Sequence, residues 1–211
     1  MFGLSLDKRL EMWKLDKRDI IAVPEVVLSC IEEIERVTGR APVRGRSNIM
    51  LQACVRGEQQ RIAAIDTNRP KKPITLTANT QLELPIMYKG QPVLLSGKSD
   101  YSIWHGDRVM STSLVICEVK DNSFAECLAY MAMVRKIRRQ ECRINTKIYG
   151  CVTDGQEFTF LYIDENDKYS VWRSQCWDMH LAKDEIWTHL VRITRFASAL
   201  SEYFGEDSYA I

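Results

Sequence analysis

The sequence lacks a C-x-x-C pair: its seven cysteines, at positions 30, 54, 117, 127, 142, 151 and 176, are odd in number and spaced for neither a zinc knuckle nor a disulfide framework. Reduced thiols are the expectation. It lacks an apolar run long enough to cross a bilayer, and Met1 to Lys8 lacks the basic stretch and apolar core of a secretory signal. A soluble, intracellular protein of the nucleus or cytoplasm, with no membrane partner, is expected. A charge excess is also missing. Lys and Arg total 29 against 28 Asp and Glu, a net charge of +1, which excludes a polycation or an acidic-tail protein and confines any nucleic-acid contact to a local patch. No G-x-S-x-G, Walker A or dinucleotide glycine pattern occurs, which removes common signatures of hydrolases, NTPases and Rossmann enzymes. His180 and His189 are not spaced as a zinc pair, and there is no internal repeat.

The 211 residues, 45% hydrophobic and 27% charged, suit one folded domain with terminal additions. Residues 1–47 read as an N-terminal helical extension, 48–172 as the core and 173–211 as a C-terminal helical extension. Pro24 and Glu25 open a helix striped by Val27, Ile31 and Ile34 and stopped at Gly39. Arg40 to Arg46 reads as a loop, and a second helix spans Asn48 to Ile65, although Gly57 weakens it by about 1 kcal/mol relative to Ala.

After the basic break Arg69-Pro-Lys-Lys-Pro73 the pattern turns to strands: Thr80 to Tyr88, Val93 to Trp104 and Ser113 to Lys120, the last with a doubly buried stretch at Leu114 to Cys117. Phe124 to Gln140 is a helix rich in Ala, Leu and Met, with Arg135, Lys136, Arg138 and Arg139 suiting its C-terminal dipole. Antiparallel strands follow at Ile148 to Val152, Glu157 to Ile163 and Tyr169 to Trp172, then an amphipathic helix from Lys183 to Phe204. A mixed α/β fold is expected.

Chemistry concentrates in Ser96-Gly-Lys-Ser-Asp100-Tyr and Leu114-Val-Ile-Cys-Glu118-Val-Lys120. Period 2 puts Glu118 and Lys120 on one face of an apolar strand, where such charges are costly unless paired or used in binding. Asp100 on the neighbouring strand can add a second carboxylate. With a strand carbonyl the two acids form a partial oxygen shell for Mg²⁺.

The G-x-x-D-Y segment Gly97 to Tyr101, the E-V-K triplet Glu118 to Lys120, the helix carrying Leu128-Ala-Tyr130-Met-Ala-Met133 and the turn Thr153-Asp-Gly155 occur in one order. In that order the chain resembles the PD-(D/E)XK nuclease-like superfamily, most like its fungal branch, over roughly Asn48 to Trp172. The resemblance implies a restriction-endonuclease-like core, with helix, three strands, helix and strand in succession. It implies a hydrolase of nucleic-acid phosphodiester bonds, DNA ahead of RNA, using Mg²⁺ or Mn²⁺. Asp100 and Glu118 would hold the metal with the Val119 carbonyl, and Lys120 would position or activate the attacking water. The accessory glutamate of the preceding helix falls on Glu58 first, with Glu32 or Glu33 as alternatives. The chain departs from the pattern in two places. Glu126 stands where some members carry the glutamine of Q-x-x-x-Y ahead of Tyr130, and no proline precedes Asp100 in its motif.

For phosphate contact the candidates are Arg135, Arg138 and Arg139 with Lys71 and Lys72, alongside Lys136 and the loop cations Arg40, Arg44, Arg46 and Arg69. A charged helix end and solvated loops explain these residues equally well. His105 and Asp107 share a turn in which histidine is ordinarily a solvent-facing residue. The alternative function is an inactive nuclease-fold domain that binds nucleic acid or protein. A protein partner or a homodimer fits either function.

Overall fold

The computed structural model describes residues 2–9, 11–39, 43–65, 74–105, 113–119, 123–179 and 181–201, with side chains 43, 105, 113–116, 197, 200 and 201 left out. Strand β1 (Ser5–Leu6) precedes two 3-10 turns, Glu11–Trp13 and Lys17–Asp19, and helix α1 (Glu25–Thr38). Then come α2 (Val43–Ile65), the strands β2 (Ile74–Tyr88), β3 (Gln91–His105) and β4 (Ser113–Glu118), and α3 (Phe124–Gln140). Strands β5 (Ile148–Thr153), β6 (Phe158–Ile163) and β7 (Lys168–Arg173) and helix α4 (Ala182–Ser201) complete the order.

The strands form one mixed seven-stranded sheet, ordered β1-β7-β6-β5-β4-β3-β2. Pairs β1/β7 and β4/β5 are parallel and the rest antiparallel. The parallel step from β4 to β5 needs a crossover, which α3 supplies. Two apolar clusters fix the layers. On one face Val27 and Ile31 of α1, Met50 and Cys54 of α2, and Ile186 and Leu190 of α4 pack on Ile103, Cys151 and Phe160. On the other, Tyr130, Met131 and Val134 of α3 pack on Leu82, Leu84, Ile148 and Leu161.

Local sequence chemistry explains most boundaries. Pro24 caps α1, whose first N–H groups need no intrahelical acceptor, and Gly39 ends it at φ +74°. The β2–β3 hairpin turns on Lys89 and Gly90, both at positive φ (49° and 78°), as a two-residue turn with right-handed strand twist requires.

The structure corrects two readings. Residues 43–46, expected in a loop, begin α2, because Arg46 is buried and donates to the Gly155 carbonyl and to Glu35 while stacking over Trp177. These tertiary contacts outweigh a weak start signal. The N-terminal segment is not a purely helical extension, since β1 adds a strand to the sheet and Trp13 enters the main cluster, with its indole N–H donating to Ser170 Oγ at 3.1 Å. Trp177, Trp187 and the apolar side of α4 also belong to that cluster, in the core role expected of buried tryptophans and an amphipathic helix. The expected burial of Leu114 to Ile116 falls on side chains outside the described residues, as does the end of the last helix beyond residue 201; Cys117 is buried.

Candidate active site

Strand β3 pairs antiparallel with β4 through Tyr101↔Cys117, Ser102↔Ile116 and Ile103↔Val115, and continuing that register sets Asp100 opposite Glu118. Asp100 Oδ2 accepts the Val119 N–H at 2.8 Å, extending the ladder by one side-chain bond just beyond β4. Its Oδ1 accepts from Arg44 at 2.8 Å, an ion pair between a guanidinium 64% exposed and a carboxylate 11% exposed. Glu118 is fully buried. Its charge, with that of Asp100, adds to burial in pushing the Cys117 thiol up, and it also contributes to the raised values of Cys127 and Tyr130.

A break in strand alternation aims Asp100. Thr77 and Thr80 hydroxyls lie 2.9 Å apart across β2, and those of Ser99 and Ser102 lie 2.8 Å apart across β3. Residues three apart point to opposite faces of a regular strand, so neither contact is open to one. Asn79, between the two threonines, sits at φ +55°, and beyond it the core-facing residues of β2 change sides. Ile74 and Leu76 face α1, α2 and α4, whereas Leu82, Leu84 and Ile86 face α3. The cross-strand pairing keeps one register throughout, so the kink turns side chains without slipping the strands.

Helix α3 docks on this kink through Tyr130. Its hydroxyl accepts the Lys98 N–H at 3.2 Å and donates to Glu126 Oε1 at 2.7 Å. Burial first, then the Glu126 bond, pushes the phenol up to about 12. Gly97 permits the approach, because a Cβ there would overlap the Tyr130 ring. Glu126 is thus a half-buried acceptor rather than a solvent-facing helix residue.

The structure brings Asp100, Glu118 and Val119 together, with Tyr130 and Glu126 beside them; Lys120 lies outside the described residues. Glu58 does not join them. It sits 14 positions along α2 from Arg44, a rise of about 21 Å, and its buried carboxylate is bound by Arg61 at 2.6 Å with Arg195 at 3.9 Å. Glu32 and Glu33 are exposed on α1, and Glu33 pairs with Arg36 at 2.7 Å. Arg44, one of the loop cations the sequence offers for phosphate contact, joins the site through Asp100, a pairing that loop chemistry alone does not foretell.

Among the phosphate candidates, Arg138 is fully buried, donates to the Lys147 carbonyl, and is pushed down to about 9 by burial and then by Arg143. Arg135 is also buried, with donors spent on Asp167 and the Asp164 and Glu165 carbonyls. Arg138 therefore holds the fold together rather than presenting charge at a surface, and Arg135 ties α3 to the β6–β7 turn. Arg139 is partly exposed and pairs with Asp167 at 2.9 Å. Lys71 and Lys72 lie outside the described residues, as do Arg40, Arg69, Asp107, His180 and the His105 side chain.

The arrangement offers two hard-oxygen carboxylates at a strand end, and such donors suit Mg²⁺, which keeps several waters. Among the described residues no group of three or more His, Cys, Asp or Glu is set to hold a metal ion. Among the same residues no helix is long and apolar enough to cross a membrane. The chain matches no family model and no curated protein.

Proposed function

We propose that the chain is a nuclease-like domain that hydrolyses nucleic-acid phosphodiester bonds with Mg²⁺ or Mn²⁺, on a restriction-endonuclease-like core. The observation that carries the reading is the opposition of Asp100 and Glu118 across β3 and β4, where the Asp100 carboxylate meets the Val119 N–H. The succession α2, β2, β3, β4, α3, β5 supports it, being the order the PD-(D/E)XK resemblance implies. An intracellular setting, nuclear or cytoplasmic, goes with such a substrate.

Asp100 and Glu118, with the Val119 carbonyl, are the residues that would hold the ion; when bound, it supplies charge neutralisation at a phosphate oxygen and acidifies a coordinated water. Arg44 is the exposed partner of its pair with the mostly buried Asp100, and it is released from balancing that carboxylate's charge when Mg²⁺ is held there. It can then leave the carboxylate for a substrate phosphate, as a planar donor suited to two phosphate oxygens. Lys120 stabilises the charge that develops on the phosphate. Tyr130 and Glu126 hold β3 against α3 and so keep Asp100 in register with Glu118.

One observation favours the second reading, an inactive nuclease-fold domain that binds nucleic acid or protein: both Asp100 oxygens are already engaged, one by Arg44 and one by Val119. Calorimetric titration of Mg²⁺ and Mn²⁺ into the wild type and Glu118→Ala, followed by incubation with plasmid and single-stranded DNA and RNA, separates the two. Saturable binding and cleavage that vanish in the variant support the nuclease. Folded wild type that binds no metal at millimolar concentration overturns it.

A further inference from the structure

A cavity of about 340 Å³ opens between the C-terminal half of α3, the residues around β1 and the β6–β7 turn. Phe2 and Leu4 form an apolar wall, and Arg135, Lys136 and Arg139 face it with Asp167. Lys136 is ten residues along α3 from Glu126, a rise of about 15 Å, so the cavity is separate from the Asp100 centre.

Its charge is not balanced from within. Three cationic side chains line it against one carboxylate, and Asp167 is shared by Arg135 and Arg139. Of the neighbouring acids, Asp164 offsets part of the difference, since its charge acts on Arg135. Asp164 Oδ1 accepts the Asn166 and Lys168 N–H groups at 2.8 and 2.9 Å, and the Glu165 carboxylate pairs with Lys147 at 3.1 Å. Lys136 is half-buried and has no ion pair or hydrogen bond among the described residues. Burial pushes Arg135 down, Asp167 pulls it back up, and the charge of Arg139 adds to the push.

We propose that this cavity binds a small phosphomonoester bearing an aromatic or aliphatic body. A phosphomonoester carries about −1.5 to −2 charges at neutral pH, opposite in sign to the surplus of the lining. Lys136 takes the phosphate oxygens as a point charge, and Arg139 adds the donor hydrogens that its bonds to Asp167 and the Glu165 carbonyl leave over. Phe2 and Leu4 cover the organic body. The volume is at the small end of the range for ligand pockets, about 300 to 1,000 Å³, which limits the body to about one ring.

The test is calorimetric titration of the full chain with phenyl phosphate, inorganic phosphate and phenol. Saturable 1:1 binding of phenyl phosphate is expected, with weaker binding of inorganic phosphate and none of phenol. Lys136→Gln, a substitution at a partly exposed position that leaves the fold intact, is expected to weaken phenyl phosphate about tenfold. Phe2→Ala should weaken phenyl phosphate and leave inorganic phosphate unchanged. No saturable heat at millimolar ligand, or equal affinity in Lys136→Gln, overturns the proposal. Loss of binding in Glu118→Gln with Lys136→Gln unaffected assigns the anion to the Asp100 centre and equally overturns it.

Discussion

At the scale of single residues, Gly97 and His189 carry the sharpest consequences. A methyl at position 97 meets the Tyr130 ring, which the Lys98 and Glu126 bonds hold in place. Gly97→Ala is expected to cost about 1 to 3 kcal/mol, as overpacking does, and Tyr130→Ala is expected to be less harmful in the Gly97→Ala background than alone. Urea unfolding of the four proteins in the cycle measures the coupling; strict additivity would sink the contact. His189 is buried among Trp13, Phe160 and Trp172, its Nε2 has no hydrogen-bond partner among the described residues, and burial, then Arg192, holds it down at about 4 against an ordinary 6.5. The unfolded chain takes up this proton first. Stability from His189 is therefore full above about pH 6.5 and is lost as the pH falls toward 4. His189→Phe should flatten the melting temperature across that window, and an unchanged slope would assign it to other groups.

At the scale of elements, the pattern of the chain gave away those that satisfy their own chemistry. Helix α3 has the bounds its composition predicts, and α1 starts and stops at its proline and glycine. The start of α2 was hidden because it rests on Arg46 reaching Glu35 on the preceding helix and Gly155 and Trp177, both more than 100 residues away in the chain. Arg46→Ala is expected to cost about 2 to 4 kcal/mol by leaving acceptors unmatched and stacking area bare. Arg46→Met, which keeps the stem, should recover part of that in the same unfolding measurement. The acids of the candidate site were legible from the E-V-K strand and the G-x-x-D segment. The kink at Asn79 and Asp100 was not, since a left-handed asparagine within a strand leaves no periodic trace and its effect is seen only in which side chains meet. Glu58 was misassigned for the same kind of reason: helical spacing tells which face a residue is on but not which end of a neighbouring hairpin it lies beside.

At the scale of the whole molecule, the sheet ends at β2, a 15-residue edge. Long edges invite pairing with other chains, and Pro85 interrupts this one, opposite Leu94 and near the exposed Met87. Pro85→Val is expected to promote concentration-dependent association, visible by sedimentation velocity as a shift absent from the wild type. A variant that sediments like wild type at every concentration would show that another feature protects the edge.

The other end of the sheet has a kinetic meaning. Strand β1 pairs with β7, Trp13 bonds Ser170, the Ile21 N–H donates to Thr188 Oγ1 at 2.8 Å, and Arg192 donates to the Lys14 carbonyl at 2.9 Å. Each closes a loop of more than 150 residues, and contacts of such separation slow folding. During synthesis β1, Trp13 and Ile21 therefore wait for β7 and α4 to emerge before they find these partners. Ribosome-bound chains that stop short of Lys168 should be cut by protease between β1 and Ile21, and chains that include α4 should not.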